Sequence, residues 1–480
     1  MFPIHDCEVS AMVDLLWGIG GMAGLLLIAV ALSSNRRAIR LRTVAGAFAL
    51  QLGLGVMVLY WGPGQWALEK VSTGFQAVID TSSEGIAFLF GPLLPAEGEG
   101  SIFALQVLPV IIFFASLTAV LYHWKILPKF VALLGGGLGK VLGTGHAESV
   151  NAAANIFVGQ TEAPLVIRPY IKRLSRSGLF AVMVGGLSTV AGSVLVGYSL
   201  LGAPLEYLIA ASFMAAPGAL LMAKILVPED DPDAVAREAE LVAASSTSSK
   251  RRGAGADADG SSAAGAGTAD GATVTADEGV SAGTETTDRD ESTSAATEDE
   301  ADDELEELRY SNVIDAAAGG AADGLRLAAT VGAMLLAFIS LIAVINLLIG
   351  TVGGWFGVGD LTFQQILGWL FAPVMAMIGV PWGEAVSSGS YVGQKVVVNE
   401  FVAFAGFGPE IGSFSEKTAV ITTFALTGFA NLSSLGILLG GLGGLAPSRR
   451  SEIAQLGLKA ILGGTLANLM SAAIAGVLLV

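Results

Sequence analysis

The sequence predicts an all-α polytopic membrane protein, with about eight transmembrane helices plus two opposed re-entrant hairpins in an inverted repeat. Three observations carry that expectation. Of the 480 residues, 53% are hydrophobic and only 14% charged, and the mean hydropathy is +0.67. That profile belongs to a polytopic helical protein and not to a soluble enzyme. Several apolar runs reach the roughly 17–25 residues that a spanning helix needs. Two acidic motifs, Gly159-Gln160-Thr161-Glu162-Ala163-Pro164 and Gly393-Gln394-Lys395-Val396-Val397-Val398-Asn399-Glu400-Phe401, lie inside apolar stretches. A carboxylate at bilayer depth costs roughly 2.5–3.5 kcal/mol on insertion scales, so two that are kept point to a polar, hydroxyl-rich cargo.

Spanning helices are expected near 12–32, 43–61, 102–122, 178–201, 203–227, 325–350, 416–444 and 453–480. The first apolar run follows acidic Asp6, Glu8 and Asp14, unlike a cleavable signal peptide, and reads as a retained helix. A single cysteine, Cys7, rules out an intrachain disulfide and a Cys-based metal site. His5, His123 and His146 are scattered and read as loop or interfacial residues.

Basic residues set the orientation. Arg36, Arg37, Arg40 and Arg42 make the first connection cytoplasmic, so the N-terminus is expected outside. The connection 62–101 holds Glu69, Asp80, Glu84, Glu97 and Glu99 against Lys70 alone and suits the outside. Lys125, Lys129 and Lys140 return the chain to the cytoplasm. The next apolar stretch, 148–172, then has basic residues at both ends: Lys140 before it, and Arg168, Lys172, Arg173 and Arg176 after it. Like ends cannot lie on opposite sides, so this stretch must enter and turn back. Gly159 and Pro164 bracket the turn, where backbone groups leave helical bonding.

The second half reads as the same plan inverted. Arg326 marks the inner end of helix 325–350, 361–380 reads as an interfacial amphipathic helix, and 383–407 is a second hairpin entering from outside. Helix 416–444 descends to Arg449-Arg450, and the last helix puts the C-terminus outside. The expected divisions are N-terminal scaffold helices over 1–101, a first repeat over 102–227, a linker over 228–311 and a second repeat over 312–480. Inverted repeats with broken helices at the midplane mark secondary transporters.

The net charge of −17 sits entirely in the linker. Residues 228–311 hold 23 acidic and 6 basic side chains, and the remaining acids and bases balance. The segment is rich in Ala, Gly, Ser, Thr and Asp, with no aromatic before Tyr310. It cannot bury enough apolar surface to offset its ordering entropy, so an acidic, disordered cytoplasmic spacer is expected. A short acidic helix near Asp302–Arg309 is compatible with the pattern.

The motifs suggest the cargo. Gln160-Thr161-Glu162 offers an amide edge, a hydroxyl and a carboxylate, and Asn399-Glu400 offers a second set. Amide edges match nucleobase edges, and carboxylates accept from vicinal hydroxyls such as those of ribose. Asn431 and Ser434 are three apart, on one expected helical face. Small residues in Ser188-Thr189-Val190-Ala191-Gly192-Ser193 let another backbone approach. Ser193 and Ser433 read as helix-packing residues, and Glu206 and Glu384 as solvated ends. Lys395 reads as a structural partner for a carboxylate or carbonyl.

Gly-Gln-Thr-Glu-Ala-Pro-Leu at 159–165, Gly-x-Lys-x-x-x-Asn-Glu-Phe-Val-Ala-Phe at 393–404 and Gly-Phe-Ala-Asn at 428–431 together resemble the concentrative nucleoside transporter family. The resemblance covers nearly all of 1–227 and 312–480, and the acidic insert departs from it. It implies a homotrimer working by an elevator motion of a hairpin-bearing domain. It implies base contacts at Gln160, Thr161, Glu162 and Val194, and ribose contacts at Glu400, Asn431 and Ser434 with Phe429 alongside. It implies a sodium site of Asn155 and Thr189 side chains with the Val158 and Val190 carbonyls, where Thr189 replaces a common Ser. The expected function is cation-coupled nucleoside import and not enzyme chemistry, because no nucleophile–base set accompanies the acids. Sodium is the expected coupling ion and no cofactor is expected. Proton coupling is the alternative, and a channel for polar solutes a weaker one, since opposed hairpins do not make a ring-lined pore. Nucleosides and membrane lipid are the expected partners, and nucleic acid is not.

Deleting about residues 236–300 is expected to leave trimer assembly and nucleoside uptake near those of the full chain, because long flexible insertions add little to stability. Size-exclusion chromatography and vesicle uptake of the deletion variant check this; failure to assemble would make the segment more than a spacer.

Overall fold

Every described element is helical. The computed structural model describes residues 4–95, 102–231, 233 and 310–479. The linker expectations, including the short acidic helix near 302–309, fall almost wholly outside the described residues.

The first half runs α1 (Ile4–Ala31), α2 (Leu41–Gly55, continued by a π turn to Tyr60), α3 (Gly62–Phe90), α4 (Phe103–Gln106), α5 (Leu108–His123), α6 (Ile126–Leu142), α7 (His146–Ala154), α8 (Ala163–Val166), α9 (Arg168–Ile171), α10 (Arg176–Ser188), α11 (Gly192–Leu200) and α12 (Leu205–Leu226). The second half runs α13 (Val313–Trp355), α14 (Phe363–Met377), α15 (Trp382–Val397), α16 (Glu400–Glu410), α17 (Glu416–Leu426), α18 (Leu432–Leu445) and α19 (Arg450–Leu478). The order recurs: long helix α5 or α13, amphipathic α6 or apolar α14, hairpin α7–α9 or α15–α16, broken helix α10–α11 or α17–α18, closing helix α12 or α19. Among the described residues six stretches are long and apolar enough to cross a bilayer: Leu41–Tyr60, Phe103–His123, Arg176–Leu200, Leu205–Leu226, Val313–Trp355 and Pro447–Leu478. Leu15–Ala31 and Leu432–Leu445 are shorter apolar helices.

Four expectations need correction. The connection 62–101 is not a plain loop, because residues 62–90 form α3; its charges are spread along a half-exposed helix. Helix 325–350 is longer, at 43 residues, or about 64 Å at the α-helical rise. Its early turns are rich in Ala and Gly and so read as too polar to span, yet they pack tightly on α5. Ala316, Gly320, Gly324 and Ala328 are buried at four-residue spacing. A Cβ on Gly324 would sit 2.7 Å from the Ile112 Cα, and Ser116 Oγ donates to the Ala317 carbonyl at 2.8 Å. This is the small-residue packing that lets membrane helices touch along their backbones.

The helices expected over 178–201 and 416–444 are each broken. The first unwinds at Thr189-Val190-Ala191, the second at Thr427 to Asn431. The hairpins also differ. In the second, α15 and α16 turn at Val398-Asn399, and the Asn399 side chain caps α16 by accepting from the Val402 amide at 2.9 Å. In the first, only α7 is a helix of several turns; the returning arm is the two single turns α8 and α9. The apolar segment 361–380 is helical as α14, bent by 118° from α15.

The root of the first hairpin is pinned by a buried ion pair that sequence reasoning did not anticipate. Glu148 in α7 meets Lys224 in α12 at 2.6 Å, with side chains 3% and 9% exposed. Glu148 also accepts from the Gly145 amide at 2.7 Å, and Lys224 donates to Ser177 Oγ at 3.1 Å. Removing one partner of such a pair strands a buried charge, a loss of about 3–5 kcal/mol. Lys224→Met should therefore lower the melting temperature strongly, and Glu148→Gln with Lys224→Met should recover most of it. Melting curves of the purified single and double variants check this; equal melting points for single and double variants would refute it.

Candidate functional site

The two helix breaks lie against each other. The Phe429 amide of the second break donates to the Thr189 carbonyl of the first at 3.3 Å. The first break also touches the first hairpin, where the Gly192 amide donates to the Phe157 carbonyl at 3.2 Å. Helices that end in mid-structure leave terminal amides and carbonyls unpaired, and here each break supplies partners to its neighbours. Gly428 carries the turn: its φ of +151° is one that side-chain-bearing residues rarely adopt.

Glu400 begins α16 and is 4% exposed. Asn431 Nδ2 donates to its Oε2 at 2.6 Å. Asn431 is not inside a helix, as its spacing to Ser434 had suggested. It is the N-cap of α18, and its Oδ1 accepts from the Ser434 amide and from Ser433 Oγ, both at 2.7 Å. Capping thus fixes which way the amide points, and its nitrogen is left for Glu400. Ser434 is buried behind it and Phe429 is half-buried. Ser433, expected as packing, instead supports the cap.

Tyr198 in α11 completes this wall, and sequence reasoning missed it. It is fully buried, stacks on Phe404 with centroids 4.4 Å apart and meets Phe401 edge-on at 4.8 Å. Its hydroxyl faces the Glu400 carboxylate without a hydrogen bond of normal geometry. Val194, 2% exposed, lies one turn earlier on the same face. That four-residue spacing from Val194 was the available signal.

The tip of the first hairpin rests on glycines. A Cβ on Gly186 of α10 would come within 2.9 Å of the Gln160 Cβ, and one on Gly441 of α18 within 2.9 Å of the Thr161 Cγ2. Gln160 is 5% exposed, yet its Oε1 has no protein partner. Glu162 differs from the buried acid that the sequence suggested: it stands exposed, with its carboxylate turned back over Gly159.

Asn155 and Thr189 both approach Gly185 of α10: a Cβ there would lie 3.4 Å from Asn155 Nδ2, and Thr189 Oγ1 reaches its carbonyl. Val158 and Val190 lie next to and two residues from the ends of the Gly192–Phe157 bond in sequence. Asn155 is fully buried; its Nδ2 donates to the Asn151 carbonyl at 2.9 Å, and its Oδ1 has no protein partner. Thr189 Oγ1 donates to the Gly185 carbonyl at 2.9 Å, which leaves its lone pairs for another group. Asn151, one turn before Asn155, adds a second buried, unpartnered amide oxygen. Such orphans are uncommon in folded proteins and call for an explanation. Among the described residues no group of three or more His, Cys, Asp or Glu could hold a metal, so any ion here would be held by neutral oxygens.

Lys395 is fully buried and reaches neither solvent nor a carboxylate. Its Nζ donates to the Ala425 carbonyl at 2.7 Å and to Asn468 Oδ1 at 2.8 Å, the structural role that the sequence suggested. Asn468, in the apolar second half of α19, passed unnoticed.

Known proteins carry the same plan. A family model described as the Na+ dependent nucleoside transporter C-terminus matches residues 283–476, its N-terminal counterpart matches 20–93, and one described as nucleoside recognition matches 104–205. The chain is 48% identical over 463 residues to the uncharacterized transporter YutK of Bacillus subtilis, covering 96% of this chain and 99% of that protein. It is 44% identical over 471 residues to the nucleoside permease NupC of Helicobacter pylori, covering 96% and 97%. The solved structure of CNTnw in an inward-facing substrate-bound state is 47% identical, with a TM-score of 0.79 over 97% of this chain and 98% of that one. With motifs, element order and these likenesses in agreement, the chain belongs to the concentrative nucleoside transporter family, a family of membrane transporters and not of enzymes.

Proposed function

We propose that this chain imports nucleosides by secondary active transport, with sodium as the coupling ion and an elevator-type motion of the hairpin-bearing part against a scaffold. The observation that carries the reading is the pair of buried acceptors without a protein partner, Gln160 Oε1 and Asn155 Oδ1, beside the crossing of two unwound helices. In this reading Gln160, Thr161 and Glu162 bind the base, with Val194 against its face. Glu400, Asn431 and Ser434 bind the ribose, with Phe429 alongside. Asn431 occupies one acceptor position of Glu400; a carboxylate has about four, which suits vicinal hydroxyls.

Sodium takes several oxygens in a compact cage. Asn155 Oδ1, Thr189 Oγ1 and the Val158 and Val190 carbonyls supply neutral ones. An ion joining the first hairpin to the first break would order the tip that carries Gln160, so ion and nucleoside should raise each other's affinity by the same factor. The chain is taken to act as a homotrimer in the cell membrane with both termini outside. The uncovered apolar surface of α13, including Leu336 at 74% and Trp355 at 77% exposure, suits lipid or a second copy. The divisions at 101, 227 and 311 are kept as the boundaries of scaffold, repeats and linker.

Two outcomes test the reading. Glu400→Gln should insert normally but lose roughly tenfold or more of uridine uptake, because a hydrogen bond to a charged group contributes about 1.5–3 kcal/mol. Uptake by this variant equal to that of the parent would remove the ribose assignment.

Thr189→Val should weaken uridine binding in sodium and leave it little changed in potassium, measured by calorimetry and by uptake into proteoliposomes with an imposed sodium gradient. Uptake driven by a pH gradient alone and indifferent to Thr189→Val would replace sodium with the proton.

A further inference from the structure

The crossing of the broken helices depends on two residues that neither the base, the ribose nor the ion reading uses. Ser188 is the last residue of α10, and its carbonyl is one of those that the break leaves free. Asn468 Nδ2 donates to it at 2.7 Å. Ala425 lies in the last turn of α17, and its carbonyl is freed by the other break. Lys395 Nζ donates to it at 2.7 Å. The two donors are joined to each other, since Asn468 Oδ1 accepts from Lys395 Nζ at 2.8 Å. One amide and one ammonium thus cap the C-terminal ends of both half-helices, where partial negative charge gathers. All four groups are buried, where an unmade bond is costly.

The ends of this chain of bonds lie at different candidate ligands. Ser188 immediately precedes Thr189 and Val190, in the candidate ion cage. Lys395 lies five residues before Glu400 on the same hairpin, and α17 leads directly into the break that ends at Asn431. Close packing leaves the pair no slack: a Cβ on Gly428 would lie 2.4 Å from Asn468 Oδ1 and 2.8 Å from the Ser188 carbonyl oxygen. A shift of the first break on ion binding must therefore move Asn468, and with it Lys395 and the second hairpin.

We propose that Lys395 and Asn468 are positioning residues that transmit occupancy of the ion cage at Thr189 to the setting of Glu400 and Asn431. This rests on the sodium-coupled reading above. A second link between the breaks, the Phe429 amide on the Thr189 carbonyl, is made by backbone alone and survives any side-chain change, which makes it the natural competitor.

The test is the coupling factor, the ratio of uridine Kd in potassium to that in sodium, measured by calorimetry on the purified full-length chain. Sodium binding alone is read separately from the melting shift that sodium produces without uridine. Asn468→Ala and Lys395→Met should reduce the coupling factor several-fold. Uridine Kd in potassium should stay within about threefold of the parent, and the sodium-only melting shift should persist. Lys395→Arg, which keeps the cation, should retain more coupling than Lys395→Met. Should the alanine variant fail to fold, Asn468→Asp is measured instead; it keeps the acceptor for Lys395 and loses the donor to Ser188, and it should also lose coupling. An unchanged coupling factor overturns the proposal and assigns coupling to the Phe429–Thr189 bond. Loss of uridine and sodium binding together, with no selective loss of coupling, overturns it as well, because the pair would then be scaffold only. A coupling factor of one in the unsubstituted protein would instead be a failure of the sodium reading.

Discussion

The rest of this structure depends on one constraint: a helix broken inside a membrane must find partners for the backbone groups it frees. Hydrocarbon offers none. Two breaks placed side by side can serve each other, and these two do so. Phe429 donates to Thr189, Asn468 to Ser188 and Lys395 to Ala425. Asn431 caps the half-helix that restarts after the second break. The breaks are therefore held at one crossing, and the groups that they expose face a common place. The same requirement explains the small residues around the crossing, since Gly428 and Gly186 leave room for Asn468 and Gln160.

Much of the fold was legible because its causes are local. Composition and run length indicate spanning helices, and basic residues at both ends of 148–172 indicate a hairpin. The acidic motifs located Glu400, and the expectation that Lys395 would pair with a carbonyl or carboxylate matches its bond to Ala425. The breaks were harder. The runs 178–201 and 418–444 hold no charged residue and no proline, so hydropathy joins each into one helix. What interrupts them is tertiary: the donor that stabilises the end of α10 is 280 positions away, on α19. Tyr198 escaped for a similar reason, since its proximity to Glu400 depends on α11 being a separate half-helix. The helix α3 was hidden because acidic residues in an apolar chain read as a loop. The first turns of α13 were hidden because their Gly and Ala stretch packs by close approach and not by hydropathy.

The two acidic motifs looked equivalent in sequence and are not equivalent in space. Glu400 starts an eleven-residue helix, whose N-terminal partial charge favours an anion. It also receives a hydrogen bond from an amide whose direction is set by capping. Those two features let a carboxylate stay buried. Glu162 is followed by a single turn of four residues, too short to present much of a dipole, and it stands exposed. The buried polar group at that tip is Gln160, a neutral amide whose desolvation is far less costly than that of a charge. Each hairpin therefore buries the polar group that its local backbone can sustain. The charged acceptor lies where a helix of several turns and an oriented amide support it, and the neutral amide lies where the returning arm offers only short turns.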